Sequence, residues 1–132
     1  MEQLIAALSQ IDYIFLIAVA LRAATPIVFA ALGGIFSERS GIVNIALEGM
    51  MLTSAYVSFR IAVAAGSPWI GLLGGIIAAM LVAALHAVVS IRYRTNQVVS
   101  GTVINIFAAG ITGYLYRAFP TTESAEYLPA VS

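Results

Sequence analysis

The sequence predicts an all-α protein, a polytopic bundle of about four transmembrane helices that forms a single domain over residues 1–132. Two long runs, 61–91 and 95–116, contain no Asp, Glu, Lys or Arg, and residues 13–37 contain only Arg22. A helix that crosses a bilayer core of roughly 30 Å needs about 20 consecutive apolar residues. The composition agrees, because 61% of the residues are hydrophobic and 9% are charged, whereas a soluble domain has about 25% charged residues.

The first two spans are expected over residues 13–36 and 42–65. Pro26 lies inside the first span, and the pair Gly33–Gly34 lies near its end. Proline removes a backbone hydrogen bond from a helix interior and kinks or breaks the helix. The first span is therefore predicted to be kinked or broken.

The third and fourth spans are expected over residues 69–91 and 97–116. Pro68 precedes the third span, at a position where the first turn of a helix tolerates proline. The polar stretch 92–96 separates the two spans. Its last residue, Asn96, is predicted to be the N-cap of the fourth span, because an asparagine side chain can accept a hydrogen bond from the first backbone N–H groups.

The composition also disfavours several classes of protein. The formal net charge is zero, so the chain has no basic surface for nucleic acid. There is no Cys, and His86 is the only histidine. Neither a phosphate-binding loop nor a nucleophile–histidine–acid set is present. We therefore expect no enzyme, no cofactor and no metal site, and we interpret His86 as an interfacial or helix-contact residue.

Glu48 is the most informative single residue, because it lies within the second predicted span. Asn44 and Glu48 are four residues apart, which places them on one face of a helix. Glu48 is expected about 10 Å from the start of that helix at 1.5 Å per residue. An ionised side chain at such a depth costs roughly 2.5–3.5 kcal/mol. Residues of this kind line a pathway or form a structural pair, and both interpretations stay open here.

Small residues recur every four positions in the third and fourth spans, a pattern that lets helix backbones approach closely in membranes. Asn105 lies within this pattern in the fourth span and is expected to contact another helix or a solute. The predicted helix-packing residues are Gly71, Gly75, Ala79, Ala83, Gly101 and Gly113.

Several segments resemble the permease subunits of ABC importers for nucleosides and simple sugars, which are relatives of the ribose and branched-chain amino-acid permeases. The most specific segment is SERSGIVNIALEGMM, residues 37–51, inside a similar stretch at 21–56. The segments GSPWIGLL, residues 66–73, and TNQVVSGTVIN, residues 95–105, follow in the order of the family. The likeness covers most of residues 21–116.

The resemblance implies a multi-pass permease in the bacterial cytoplasmic membrane, surrounded by membrane lipid. Its partners would be a cytoplasmic ATP-binding subunit, a second permease subunit and an extracytoplasmic solute-binding protein. The candidates for lining or gating the solute path are Asn44, Glu48, Gly49 and Asn105. The family motif also covers Met50, Asn96, Gln97, Ser100 and Gly101.

The chain departs from the family in length, since members are typically more than twice as long. We therefore expect it to correspond to the N-terminal portion of such a permease. The alternative function is a small self-assembling channel or exporter with Glu48 as its coupling carboxylate. The sequence does not name the solute; nucleosides are favoured over sugars only by the closeness of the motif.

Overall fold

Four α-helices make up the computed structural model, which describes residues 13–120. No β-strand occurs within that range, so the predicted all-α class is confirmed. The chain divides into two compact units, one that ends at Phe36 and one that starts at Ser37. The helices are α1 (Tyr13–Arg39), α2 (Leu47–Ala65), α3 (Pro68–Ala87), which a π-helical turn (Val88–Arg92) extends, and α4 (Gln97–Ala118).

Helix α1 is continuous through Pro26 and the pair Gly33–Gly34, so the helix is not broken. The Thr25 hydroxyl donates a hydrogen bond of 2.7 Å to the Leu21 carbonyl oxygen one turn earlier. The next carbonyl along the helix is the one that Pro26 leaves without a helical donor. A bend at Pro26 remains a prediction.

Helix α2 begins at Leu47, five residues later than predicted. The preceding residues 42–46, called the lead-in segment below, are not helical, and Gly41 before them has a φ of +84°. Glycine adopts this left-handed conformation without steric penalty. Asn44 therefore lies ahead of the helix, and the prediction that it shares a helical face with Glu48 is wrong.

In the unit that starts at Ser37, α2 is the central helix and packs against both α3 and α4. Helices α2 and α4 run in the same direction. Gly49, near the beginning of α2, contacts Asn105 in the first half of α4, and Arg60 Nη1 farther along α2 donates a hydrogen bond of 3.0 Å to the carbonyl of Phe119, which follows the end of α4. Helix α3 runs antiparallel to α2. The buried apolar residues are Ala46, Met50, Ala62 and Ala108.

Three stretches in the described range are long and apolar enough to cross a membrane: α1, α3 with its π-helical turn, and α4. Their bounds lie within three residues of the predicted spans. Helix α2 has 19 residues, about 28 Å of helix, but it is less apolar and contains Glu48 and Arg60. That α2 is a fourth span stays a prediction.

Candidate functional site at the start of helix α2

The lead-in segment docks along the first two turns of α4. The Gln97 side-chain oxygen accepts a hydrogen bond of 2.6 Å from the Val43 N–H. Farther along α4, Asn105 Nδ2 donates a hydrogen bond of 2.9 Å to the Ile45 carbonyl, and Asn105 Oδ1 accepts one of 2.8 Å from the Gly49 N–H. Gln97 and Asn105 are eight residues apart, which is about 12 Å along a helix. In a regular helix these backbone groups would form hydrogen bonds with the backbone of neighbouring turns. Here two polar side chains of α4 form hydrogen bonds with them instead.

Two glycines allow this close approach. A Cβ atom on Gly101 would lie 2.9 Å from Ile45 Cβ and 3.0 Å from the Ala46 backbone nitrogen. A Cβ atom on Gly49 would lie 2.9 Å from Asn105 Oδ1. Real Cβ atoms do not approach other atoms so closely, so both positions require glycine for steric reasons. The two glycines belong to different sequence segments that the fold brings together.

The lead-in segment is also held by local hydrogen bonds. Asn44 Oδ1 accepts a hydrogen bond of 3.1 Å from the Ala46 N–H, and Asn44 Nδ2 lies 3.8 Å from Met50 Sδ. The Ser37 hydroxyl donates a hydrogen bond of 2.9 Å to the Ile42 carbonyl. An asparagine that bonds to the backbone two residues later offers the chain an alternative to the helix. A non-helical backbone leaves donors and acceptors without helical partners, and these bonds satisfy part of them.

Glu48 is the second residue of α2 and differs from its neighbours. Ala46, Gly49 and Met50 are buried, whereas Glu48 is exposed. Its carboxylate forms no hydrogen bond or ion pair in the described part of the unit that starts at Ser37. Because α2 begins at Leu47, Glu48 lies in its first turn, so the prediction that it lies about 10 Å along this helix is wrong. A carboxylate in the first turn of a helix is favoured by the helix dipole.

A buried polar pair joins α3 to α4 beside this region. His86 is only 2% exposed, and its Nδ1 atom lies 3.2 Å from the Ser100 hydroxyl. Among the described residues, neither His86 Nε2 nor the buried Ser90 hydroxyl has a hydrogen-bond partner. Ser100 belongs to the family motif, but no spacing in the sequence links it to His86.

The contact between α2 and α3 is built from small residues. A Cβ atom on Gly71 would lie 2.5 Å from Ala62 Cβ, and one on Gly75 would lie 2.9 Å from Ser58 Cβ. The Ser54 hydroxyl donates a hydrogen bond of 2.9 Å to the Gly75 carbonyl. Sequence reasoning missed the ridge on α2 that faces these glycines, although its members, Ser54, Ser58 and Ala62, have the same spacing of four residues.

The remaining predicted packing residues are less enclosed. Ala79 and Ala83 are half-buried on α3. On α4, Gly101 is buried, but Gly113 is exposed, and a Cβ atom there would meet nothing within 4 Å in the described structure. Their roles in packing stay predictions. The buried positions of α4 are Ser100, Gly101, Ala108 and Thr112.

Comparison with known proteins identifies the class of these motifs. Residues 16–126 match the family described as branched-chain amino acid transport system / permease component. The chain is 38% identical to the guanosine ABC transporter permease protein NupQ of Bacillus subtilis, over 80% of this chain and 35% of that protein. It is 42% identical to the nucleoside ABC transporter permease protein NupC of Lactococcus lactis, over 72% of this chain and 32% of that protein.

A third relative carries a different substrate in its name. The chain is 39% identical to the putative glucose ABC transporter permease protein TsgC13 of Haloferax volcanii, over 70% of this chain and 28% of that protein. The chain thus spans about a third of the length of these curated relatives. No solved structure matches the chain.

Proposed function

The chain belongs to the family of branched-chain amino acid transport system permease components, and we propose that it forms part of the solute path of an ABC importer. Membership of this family makes the chain a multi-pass protein of the cytoplasmic membrane and a transport component rather than an enzyme. It also favours the importer interpretation over a self-assembling channel or exporter. The proposed partners are a cytoplasmic ATP-binding subunit, a second permease subunit and an extracytoplasmic solute-binding protein.

One observation carries the proposal that the start of α2 belongs to the path. Two segments of the family motif, residues 37–51 and 95–105, are far apart in sequence but meet where the lead-in segment docks on α4. The two segments therefore form one unit, in which a non-helical stretch is held by side chains of α4. Non-helical stretches beside helix ends form binding sites and gates in many transporters.

Within this unit, we assign different roles to the four path candidates. Asn44, Gly49 and Asn105 are engaged in contacts that fix the lead-in segment, so their proposed role is to position it. Glu48 is exposed and unpaired in the adjoining first turn of α2, so its carboxylate is available to a solute or to a neighbouring subunit. We propose that Glu48 lines or gates the path.

The proposed solute is a nucleoside or a simple sugar. Two relatives carry guanosine or nucleoside in their names, and one carries glucose. A nucleoside contains a sugar ring, so a path for either solute must satisfy several hydroxyl groups. Nucleosides are the first class to test, because the relatives named for guanosine and for nucleosides match over the larger shares of this chain.

Uptake in cells tests this function. The gene is deleted in its source organism, and uptake of radiolabelled guanosine and radiolabelled glucose is measured with and without a restored copy. We expect guanosine uptake to be lost and restored with the gene, with excess unlabelled nucleosides competing. Loss of glucose uptake alone would assign a sugar instead. Unchanged uptake of both solutes would contradict the proposal.

The Glu48→Gln variant tests the assignment within the site. The amide keeps the size of the side chain but removes its charge, so we expect uptake to fall while the membrane abundance of the subunit stays normal. The matched control is Glu48→Asp, which keeps a carboxylate at the same position and should retain more uptake than Glu48→Gln. Reduced abundance of Glu48→Gln would indicate a structural role. Wild-type uptake at wild-type abundance would show that the charge has no role.

A further inference from the structure

A cleft of about 380 Å³ lies at the end of α3, where the α3–α4 loop begins. One wall is apolar and consists of Ala87, Val88 and Ile91, and the rest of the lining comes from Arg92 and Arg94. The apolar wall is part of a stretch long and apolar enough to cross a membrane. The cleft therefore combines a surface suited to hydrocarbon with two positive charges at the end of a membrane helix.

The local backbone brings the two arginines to the same cleft. The chain leaves α3 through the π-helical turn Val88–Arg92. The Thr95 hydroxyl and the Thr95 N–H then donate hydrogen bonds of 2.9 and 3.4 Å to the Val89 carbonyl, which closes the loop back on the helix. Arg94, which directly precedes Thr95, has a φ of +51°. This left-handed conformation is uncommon outside glycine. The loop is tight, and its curvature is fixed by these bonds.

The charges at the cleft are not neutralised by the described protein. In the described part of the unit that starts at Ser37, the only carboxylates are Glu38 and Glu48, and neither pairs with Arg92 or Arg94. A guanidinium group presents several donors in a planar fork that matches the oxygens of a phosphate. Two arginines that line one cleft at the end of a membrane helix thus form a suitable site for a phosphodiester.

The exposed side chains around the cleft match the layers of a bilayer. Val88 is 50% exposed and Ile91 61% exposed on the apolar wall, and Tyr93, between the two arginines, is 73% exposed. Tyrosine is enriched at the level of lipid headgroups, and arginines at helix ends reach the same level. Along the chain, the apolar wall residues are followed by Arg92, Tyr93 and Arg94.

We propose that this cleft is a binding site for an anionic phospholipid. Arg92 and Arg94 hold the phosphate of the headgroup, and an acyl chain lies along Val88 and Ile91. A free phosphate ion would leave the apolar wall unused, and an acidic surface of a water-soluble protein would not reach it. Basic pockets at the ends of membrane helices bind anionic headgroups for the same electrostatic reason.

Competition between two lipids tests the proposal on the purified full chain in detergent. The chain is equilibrated with equal amounts of phosphatidylglycerol and phosphatidylcholine with identical acyl chains, and the lipids that remain bound are counted by native mass spectrometry. We expect the wild-type chain to retain phosphatidylglycerol preferentially. Each arginine removed in Arg92→Gln and Arg94→Gln should lower that preference about fivefold.

Three control arms make the result specific. Arg39→Gln, a change at an exposed arginine in the last turn of α1, should leave the preference unchanged. The double change Arg92→Lys and Arg94→Lys keeps the charge and should retain most of the preference. Inorganic phosphate at millimolar concentration should not displace the lipid. Circular dichroism of each variant confirms that its helix content is that of the wild type.

Several results would overturn the proposal. Equal retention of the two lipids by the wild-type chain would do so, as would an unchanged preference in the double glutamine variant. Displacement of the lipid by inorganic phosphate would assign the site to free anions.

Discussion

Helix α2 has two neighbours, and it meets them by different physical means. Against α3, glycines face a ridge of small residues, and the fit between the two surfaces is mainly steric. Against α4, the contact at the start of α2 includes three hydrogen bonds with backbone groups, of which Gln97 accepts one and Asn105 accepts one and donates one. The first contact joins two regular helices, whereas the second holds a stretch that is not helical.

The difference follows from the membrane as a solvent. Lipid tails are as apolar as leucine, so two regular helices gain little from hiding apolar side chains and associate through close packing instead. A non-helical stretch exposes backbone donors and acceptors, which are costly in hydrocarbon unless protein groups satisfy them. The α2–α3 contact should therefore be sensitive to volume, and the α2–α4 contact to loss of polar atoms.

The largest expected effect is steric and concerns Gly75. In Gly75→Leu the new side chain meets Ser54 and Ser58, because even a Cβ atom would lie 2.9 Å from Ser58 Cβ and 3.1 Å from the Ser54 carbonyl. We expect a loss of stability of more than about 3 kcal/mol, measured as lower membrane abundance and a lower melting temperature in detergent. Ile77→Leu, a change at an exposed position of the same helix, is the control. Equal tolerance of the two changes would contradict a steric contact.

The next effect is polar and concerns Asn105. The change Asn105→Leu keeps a similar side-chain volume but removes the partners of the Gly49 N–H and the Ile45 carbonyl. One interhelical hydrogen bond in a membrane contributes on average about 0.6 kcal/mol and at most about 1.7 kcal/mol. Because Asn105→Leu removes two such bonds, the loss of stability should be about 1–3 kcal/mol. Thermal unfolding in detergent measures it, with Ile106→Leu at the exposed neighbouring position as control. A melting temperature equal to that of the control would show that the amide does not hold the segment.

The smallest effect concerns Gln97, which makes a single hydrogen bond to the Val43 N–H at the start of α4. In Gln97→Leu water can replace the lost acceptor, because this end of the lead-in segment is exposed. We expect a loss of about 0.5–1 kcal/mol, smaller than that of Asn105→Leu in the same unfolding assay. A larger loss of stability for Gln97→Leu than for Asn105→Leu would contradict the proposal that the Asn105 bonds contribute more to holding the segment.

Much of the fold could be predicted from composition and periodicity. Runs with at most one charged residue locate three of the helices. Asn96 caps α4 as expected, since its Oδ1 accepts a hydrogen bond of 2.9 Å from the Val98 N–H. These features depend on residues that are near one another in the chain. The close α2–α3 contact was half predicted, because the glycine ridge on α3 was found and the Ser54–Ala62 ridge on α2 was not.

The start of α2 could not be predicted in the same way. The stretch IVNIA, residues 42–46, has no proline or glycine and is apolar enough to extend the helix. Part of what holds it in a non-helical conformation lies more than fifty residues later, in Gln97 and Asn105. The family resemblance marked both segments as important, but no spacing within the sequence shows that they touch.

Disulfide trapping tests the docking of the lead-in segment on α4 most directly, because the chain contains no native cysteine. Ile45 Cβ lies 2.9 Å from the Cβ position of Gly101, and a disulfide joins Cβ atoms about 3.5–4.5 Å apart, so a shift of about 1 Å accommodates the bond. The account predicts that Ile45→Cys with Gly101→Cys forms a cross-link upon oxidation in native membranes. The control pair, Ile45→Cys with Gly113→Cys, should stay unlinked because Gly113 is about 18 Å farther along α4. No cross-link in the first pair, or equal cross-linking in both, would contradict the docked arrangement.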